Sequence, residues 1–471
     1  MAELILRMRG LQAPGARGGD VWFGLLAGGA AAIVIGVALS FSVQAACAFT
    51  LVALVLALYE YRRNWGVLAL FALWFIAPGL RRILALITGH VENDPLSVAP
   101  FLATVALAAL ELLRVQLPSR IRRMLLVAGA GLVIGLPLGF IAGPQSAVFA
   151  GLAYLAGVSA AVLGVGERGT LEDSTLRRAL LIGMVPVACY AIVQDVLDLP
   201  SWDQLWLDAT GFGSIGVEEG STVRVFASLN SPGTLAGLLG MSLLCYLTVR
   251  RGRFLSVAGA TLVTVALALT FVRSAWIGLL VAGLAHVVAS RGRSAGVVVG
   301  SIALAVAATL ALAPVSATAQ DVVERAKTIV EFDRDTSTTE RRQTFITEAP
   351  EAASRPLGAG LGTAGEASKL SGASDLRATD NGYLALLHQS GPIGFLLVLV
   401  VLGFVLAAAW RGTQARGPGQ ELRLLLFALL IYLLVLATSG DEFYGVHGII
   451  LWFICGQVLA YDVRRRAGDT R

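Results

Sequence analysis

Apolar runs of about twenty residues recur in this 471-residue chain from Val21 almost to its C-terminus. A run of that length crosses a bilayer as an α-helix, because about 20 residues rising about 1.5 Å each cover the roughly 30 Å hydrocarbon core. Only 14% of the residues are charged, against roughly 25% in soluble domains. No soluble domain of ordinary size fits between the runs, so the fold class is an all-α polytopic membrane protein. About fourteen spans are expected, roughly at 21–40, 42–59, 66–87, 97–113, 124–142, 146–165, 178–197, 228–248, 254–271, 272–290, 295–315, 381–409, 421–438 and 444–462. Reading the tight 254–290 hairpin as re-entrant lowers the number to twelve. Arg7, Arg9 and Arg17 precede the first run, but apolar sequence continues past the small-residue stretch VQAAC, which fits a retained signal anchor.

Charge sets the orientation, since short cytoplasmic loops collect Lys and Arg. Every second connection is basic: the N-terminus, Arg62 with Arg63, Arg114 to Arg123, Arg168 to Arg178, Arg250 to Arg253, Arg291 with Arg293, Arg411 to Arg423, and Arg464 to Arg466. The connections between them are short or acidic. This alternation puts both termini in the cytoplasm and the long polar interruption from Ser316 to Thr379 on the other face. Three parts follow: apolar helices over 1–315, the large loop over 316–379, and apolar helices over 380–471. The net charge of +5 follows membrane topology, so it gives no sign of a nucleic-acid partner.

Arginines on the non-cytoplasmic face run against both the charge bias and the cost of desolvation. Arg81 and Arg82 follow Pro78-Gly79, where a proline is expected to break the third span. Arg224 opens RVFASLNSPGTLAG, Arg273 lies in LTFVRSAWIG at a turn between two apolar runs, and Arg341 and Arg342 lie in the large loop. Each could snorkel to lipid phosphates. Four such places on one face point instead to an anion site, because guanidinium offers a planar donor fork suited to phosphate oxygens. In the first of these stretches Asn230, Ser231 and Pro232 read as a turn feeding a helix, with Ser231 as cap and Pro232 at its first position.

The segment TDNGYLALLHQSGPIGF carries Asp380, Asn381, Tyr383 and His388 at the entry to a span. Asp380 reads either as an N-cap or as a base for a sugar hydroxyl, with Asn381 and Tyr383 holding substrate. Asn381 and His388 are seven apart and share a helix face; the histidine is either a buried hydrogen-bonded group or part of the site. Between Asp198 and Gly220, Trp202, Trp206 and Phe212 stand among acids, which suits sugar rings and equally an interfacial aromatic belt. All four cysteines fall within expected spans. With no C-x-x-C, no H-E-x-x-H and no acidic cluster at metal spacing, no metal or other cofactor is expected.

At these residues the chain resembles the bacterial O-antigen ligase and polymerase family. RVFASLNSPGTLAGLL is similar to the family's arginine-to-N-P-N-x-L-A segment, and LTFVRSAWIGLLV to its L-T-x-S-R-x-x-W-L-G span. ERRQTFITEAPEAASRPLGAGLGTAG resembles its loop helix and P-x-G-x-G-x-G turn, and TDNGYLALLHQSGPIGF its H-N-x-Y-L segment. The resemblance implies a metal-independent, GT-C-like glycosyltransferase of the inner membrane acting at the periplasmic face. It implies an undecaprenyl-pyrophosphate-linked glycan donor, a glycan acceptor, and a flippase and chain-length regulator as partner proteins. Arg224 and Arg273 would hold the donor pyrophosphate; Arg81, Arg82, Asn230, Arg341 and Arg342 would assist binding. The histidine of the ligases falls at Asp380 here, and with PGLRRILALITGHVENDPLSVAP upstream this leans toward a polymerase of lipid-linked repeat units. A ligase acting on a lipid A-core acceptor is the alternative, and a lipid-linked sugar transporter a second one from another class.

Overall fold

The computed structural model describes residues 43–89, 95–167, 171–197, 199–210, 224–246, 254–292, 336–365, 367–368, 381–417 and 419–468. Their secondary structure is helical. In chain order the helices are α1 (Val43–Tyr61), α2 (Arg63–Thr88), α3 (Ala99–Arg114), α4 (Ser119–Val133), α5 (Leu136–Ala142), α6 (Pro144–Gly166), α7 (Thr175–Val196) and α8 (Ser201–Thr210). They continue with α9 (Pro232–Tyr246), α10 (Phe254–Leu269), α11 (Arg273–Ala289), α12 (Thr336–Ser354), α13 (Gly382–Gln414), α14 (Gln420–Leu436) and α15 (Gly445–Arg466).

Among the described residues seven helical stretches are long and apolar enough to cross a membrane, counting α4 with α5 as one, and α9, α10 and α11 are shorter apolar helices beside them. The chain is therefore an all-α, multi-pass membrane protein. The expected spans at 21–40 and 295–315 lie outside the described residues; each of the other twelve falls on a helix or on the α4–α5 pair. Large apolar side chains such as Ile87, Ile141, Ile182 and Leu396 project from the bundle, as lipid-facing positions require.

The core is built on α15, which is buried along almost its whole length. It packs along α6 at backbone distance: a Cβ on Gly164 would fall 2.0 Å from the Phe453 carbonyl oxygen, and one on Gly456 2.0 Å from that of Ala161. In lipid, where apolar surface alone does not drive helices together, such small-residue contacts let dispersion do so.

The two ends of the bundle differ in charge. At one end α2, α7 and α15 present Arg62, Arg63, Arg177, Arg178 and Arg464 to Arg466. There Asp462 faces Arg466 at 2.9 Å, Arg120 at 3.7 Å and Arg411 at 3.8 Å, so one carboxylate ties α4, α13 and α15 together. The other end gathers the starts of α6, α9, α11, α13 and α15 with the ends of α2, α5, α7, α10 and α14.

Pro78 does not break α2, contrary to the sequence expectation: the helix runs unbroken from Arg63 to Thr88. The Phe75 carbonyl, in the turn that the proline ring crowds, accepts a hydrogen bond from Ser228 Oγ at 2.7 Å. The real breaks come elsewhere. Gly135 separates α4 from α5, and Gly391, at φ 64° and ψ 178°, interrupts α13 just before Pro392.

Candidate functional site

The Gly-rich run is a wedge between those two breaks. Its backbone donates from Leu361 N to Gly135 O at 3.0 Å and from Ala359 N to His388 O at 2.7 Å, and from Gly362 N to Gln389 Oε1 at 2.9 Å. The His388 carbonyl, which Pro392 has no N–H to meet, is thereby satisfied, which is what allows irregular backbone among membrane helices. Gly358, Gly360, Gly362 and Gly365 all have positive φ, a conformation that costs glycine little. This part of the large loop, residues 358 to 365, is therefore packed into the bundle.

The arginine-bearing segments meet at the same end. Arg224 donates from Nε to the carbonyl oxygen of Thr270 at 3.0 Å, and α11 begins three residues later at Arg273, preceded by Val272 as N-cap. Both arginines are half-buried. Ala227 and Phe271, one in each segment, have φ of 51° and 53°, a left-handed conformation that side-chain-bearing residues adopt only when their surroundings enforce it. Ser231 caps α9 by accepting from Thr234 N at 3.1 Å, with Pro232 at the first helical position, as the sequence predicts. Asn230 Oδ1 is enclosed and has no hydrogen-bond donor among the described residues.

Several expected ligands have other duties. Arg82 is fully enclosed: its guanidinium lies between Trp206 and Phe226, pairs with Asp203 at 2.9 Å, and donates to the carbonyls of Leu229 and Ala227. A guanidinium so surrounded presents no donor to a substrate, which corrects the binding role expected for it. Arg81 beside it is half-buried. Asn381 is the N-cap of α13, accepting from Leu384 N at 3.1 Å, so that side chain holds the helix and the capping role weighed for Asp380 belongs to its neighbour. Tyr383 donates to Leu434 O at 2.8 Å and packs edge-on against Phe443, tying α13 to α14. His388 is half-buried, with its carbonyl engaged by the wedge. Arg342 is exposed on α12. Asp380 and the side chain of Arg341 lie outside the described residues.

Trp206 is 2% exposed, so it is neither a sugar platform nor an interfacial anchor; Trp202 donates to Tyr190 at 2.8 Å, and Phe212 lies outside the described residues.

The sequence reading passed over the turn from Ser439 to His447. Gly382 N donates to both Ala437 O and Gly440 O at 2.9 Å, which sets this turn against the start of α13. It carries Asp441, beside Gly365 of the wedge, and the buried pair of Glu442 with His447, which packs on Gly237 of α9. The available signal was an acidic pair with a nearby histidine in the last connection on the arginine-poor face. Clefts of about 710 Å³ and 280 Å³, the first lined by Arg62, Arg63 and Arg178, the second by Arg291 and Arg416, lie at the opposite end and share no residue with the motifs.

Taken with known proteins, no curated protein matches the chain. The family model described as O-Antigen ligase matches residues 258–399, a stretch that takes in Arg273, the wedge and the start of α13. Over that segment the chain is similar to the O-antigen ligase family.

Proposed function

We propose that the chain is a polymerase that joins undecaprenyl-pyrophosphate-linked oligosaccharide repeat units at the periplasmic face of a bacterial inner membrane. The observation that carries this reading is the hydrogen bond from Arg224 to Thr270, which brings two arginine-bearing, locally strained segments together at one end of the bundle. Orientation rests on the arginine-rich opposite end, which the positive-inside rule assigns to the cytoplasm.

In this reading Arg224 and Arg273 hold the donor pyrophosphate. Negative charge accumulates on that group as the anomeric bond breaks, and fixed guanidiniums in a partly dry site stabilise it without reorganising. Positive charge from arginine makes the reaction metal-independent. Asp380, one residue before the α13 cap, takes the proton from the acceptor hydroxyl as it attacks; direct displacement inverts the anomeric carbon. Arg341 and Arg342 serve the acceptor end.

The matched model's description, O-Antigen ligase, favours the ligase as second reading; the carboxylate at 380 in place of the ligases' histidine favours the polymerase. One assay separates them. Purified protein given a defined lipid-pyrophosphate oligosaccharide, with no core lipid, is expected to give a ladder of longer lipid-linked products. Transfer only when core lipid is added would assign the ligase.

A further inference from the structure

Residues 224 to 231 carry Arg224 and Asn230 yet belong to no helix until Pro232. Irregular backbone inside a membrane bundle must find its hydrogen bonds in side chains. Here they come from two separate helices, held in place by a third. Arg82 of α2 donates from Nη1 to Leu229 O at 2.5 Å and from Nη2 to Ala227 O. Gln194 of α7 accepts from Phe226 N at 3.2 Å and from Ala227 N at 2.7 Å. Asp203 of α8 orients both: its Oδ1 lies 2.9 Å from Arg82 Nε, an ionic contact outside hydrogen-bond alignment, and its Oδ2 accepts from Gln194 Nε2 and Tyr190 OH, each at 2.6 Å.

The network converges on one residue. Ala227 has its N–H taken by Gln194 and its C=O by Arg82, and it is the residue held at φ 51°. It lies three residues from Arg224 and three from Asn230. Rings of Trp206 and Phe226, with centroids 5.3 Å and 4.9 Å from the Arg82 guanidinium, fix the plane of the fork. Asp203 and Arg82 are both 0% exposed, so neither can touch a ligand.

From this arrangement we infer that Arg82, Asp203 and Gln194 are positioning residues: they clamp Ala227 in its left-handed conformation and thereby aim Arg224 at the donor pyrophosphate. This rests on the donor role given to Arg224 above. The clamp also joins that role to α8, whose Asp203 is the common partner of the other two groups.

The test replaces the pair together, Arg82→Met with Asp203→Leu, because a buried ion pair exchanged for apolar residues commonly leaves a foldable protein, whereas removing one partner strands a charge. The variant is expected to fold with a lowered thermal midpoint, because the carbonyls of Leu229 and Ala227 lose their donor, while turnover of the lipid-pyrophosphate oligosaccharide falls about 100-fold, the scale of a misplacement of about 1 Å. Amide exchange over residues 224 to 231 speeds up. In an Arg224→Ala background the same pair of changes brings no further loss, since the clamp acts through Arg224. Should the paired variant not fold, Gln194→Met, which removes the acceptor for Phe226 and Ala227 and one donor to Asp203, is read in the same way. A folded variant with wild-type turnover, or losses that multiply with Arg224→Ala, overturns the clamp alone. An Arg224→Ala protein as active as the wild type overturns the donor reading and the clamp with it.

Discussion

Arg224 Nε lies 3.0 Å from the carbonyl oxygen of Thr270. That bond fixes the guanidinium of one segment to the backbone that leads directly into Arg273 of the next, across 46 residues of sequence. Lysine has a single-point ammonium in place of a fork, so it cannot hold Thr270 and a phosphate oxygen in the same plane. Arg224→Lys is therefore expected to lower turnover nearly as far as Arg224→Ala, by about 100-fold or more, the scale of losing one fixed donor to a developing anion. Initial rates of ladder formation measure this. Near-normal rates with lysine would show that charge alone suffices and that the fork geometry is irrelevant.

Gly391→Ala tests the wedge. A Cβ at this position would fall 2.4 Å from Gly358 N and 2.4 Å from Pro356 O, on a backbone at φ 64°. Neither contact is with a flexible side chain, so the loop must move. The expected cost is about 3 kcal/mol or more, read as a drop in thermal midpoint together with protease cleavage near residues 355 to 365. A variant as stable and as protected as the wild type would mean the wedge is not seated as described.

Much of this was legible in the sequence, and the exceptions share a cause. Apolar periodicity located the helices, and the arginine alternation separated the two ends, because both signals are additive along the chain. The Ser231 and Pro232 helix start was readable for the same reason, being local. Arg82 was misread because a guanidinium expected to face lipid phosphate is indistinguishable, in sequence, from one whose carboxylate lies 121 residues later at Asp203. Asn381 was assigned to substrate because one residue decides which of two adjacent polar groups caps a helix, and the distinction lies in the backbone angle, φ −144° at Asn381. The roles of Gln194 and Gln389 carry no local sequence signal, because their partners are backbone amides of distant segments.

Tyr383 offers a contrast with the arginines. Its hydroxyl donates to Leu434 O at 2.8 Å and its ring abuts Phe443. Tyr383→Phe keeps the ring contact and loses one hydrogen bond, a cost of about 1 kcal/mol. Stability should fall slightly and the Michaelis constant for the lipid-linked donor should stay put. A large rise in that constant, with the fold intact, would return Tyr383 to the substrate.

Glu167 gives a pH signature at the arginine-rich end, just beyond α6. Oε1 accepts from Thr175 N at 2.5 Å, while Oε2 is buried and has no hydrogen-bond partner among the described residues. Burial pushes the carboxyl above the usual carboxylate range, against the opposing pull of Thr175 N–H, Arg63 and Arg178. An acid whose pKa is raised by folding binds its proton more tightly when folded. Its contribution to stability is thus full below the unfolded pKa of about 4.3 and is lost as pH rises through the raised folded value. Glu167→Gln carries no charge into the protein and is expected to be more stable than the wild type at neutral pH, with the difference shrinking toward pH 4. Thermal midpoints of both proteins measured from about pH 4 to 8 test this, and a constant offset across the range would show that ionisation of Glu167 is not coupled to folding.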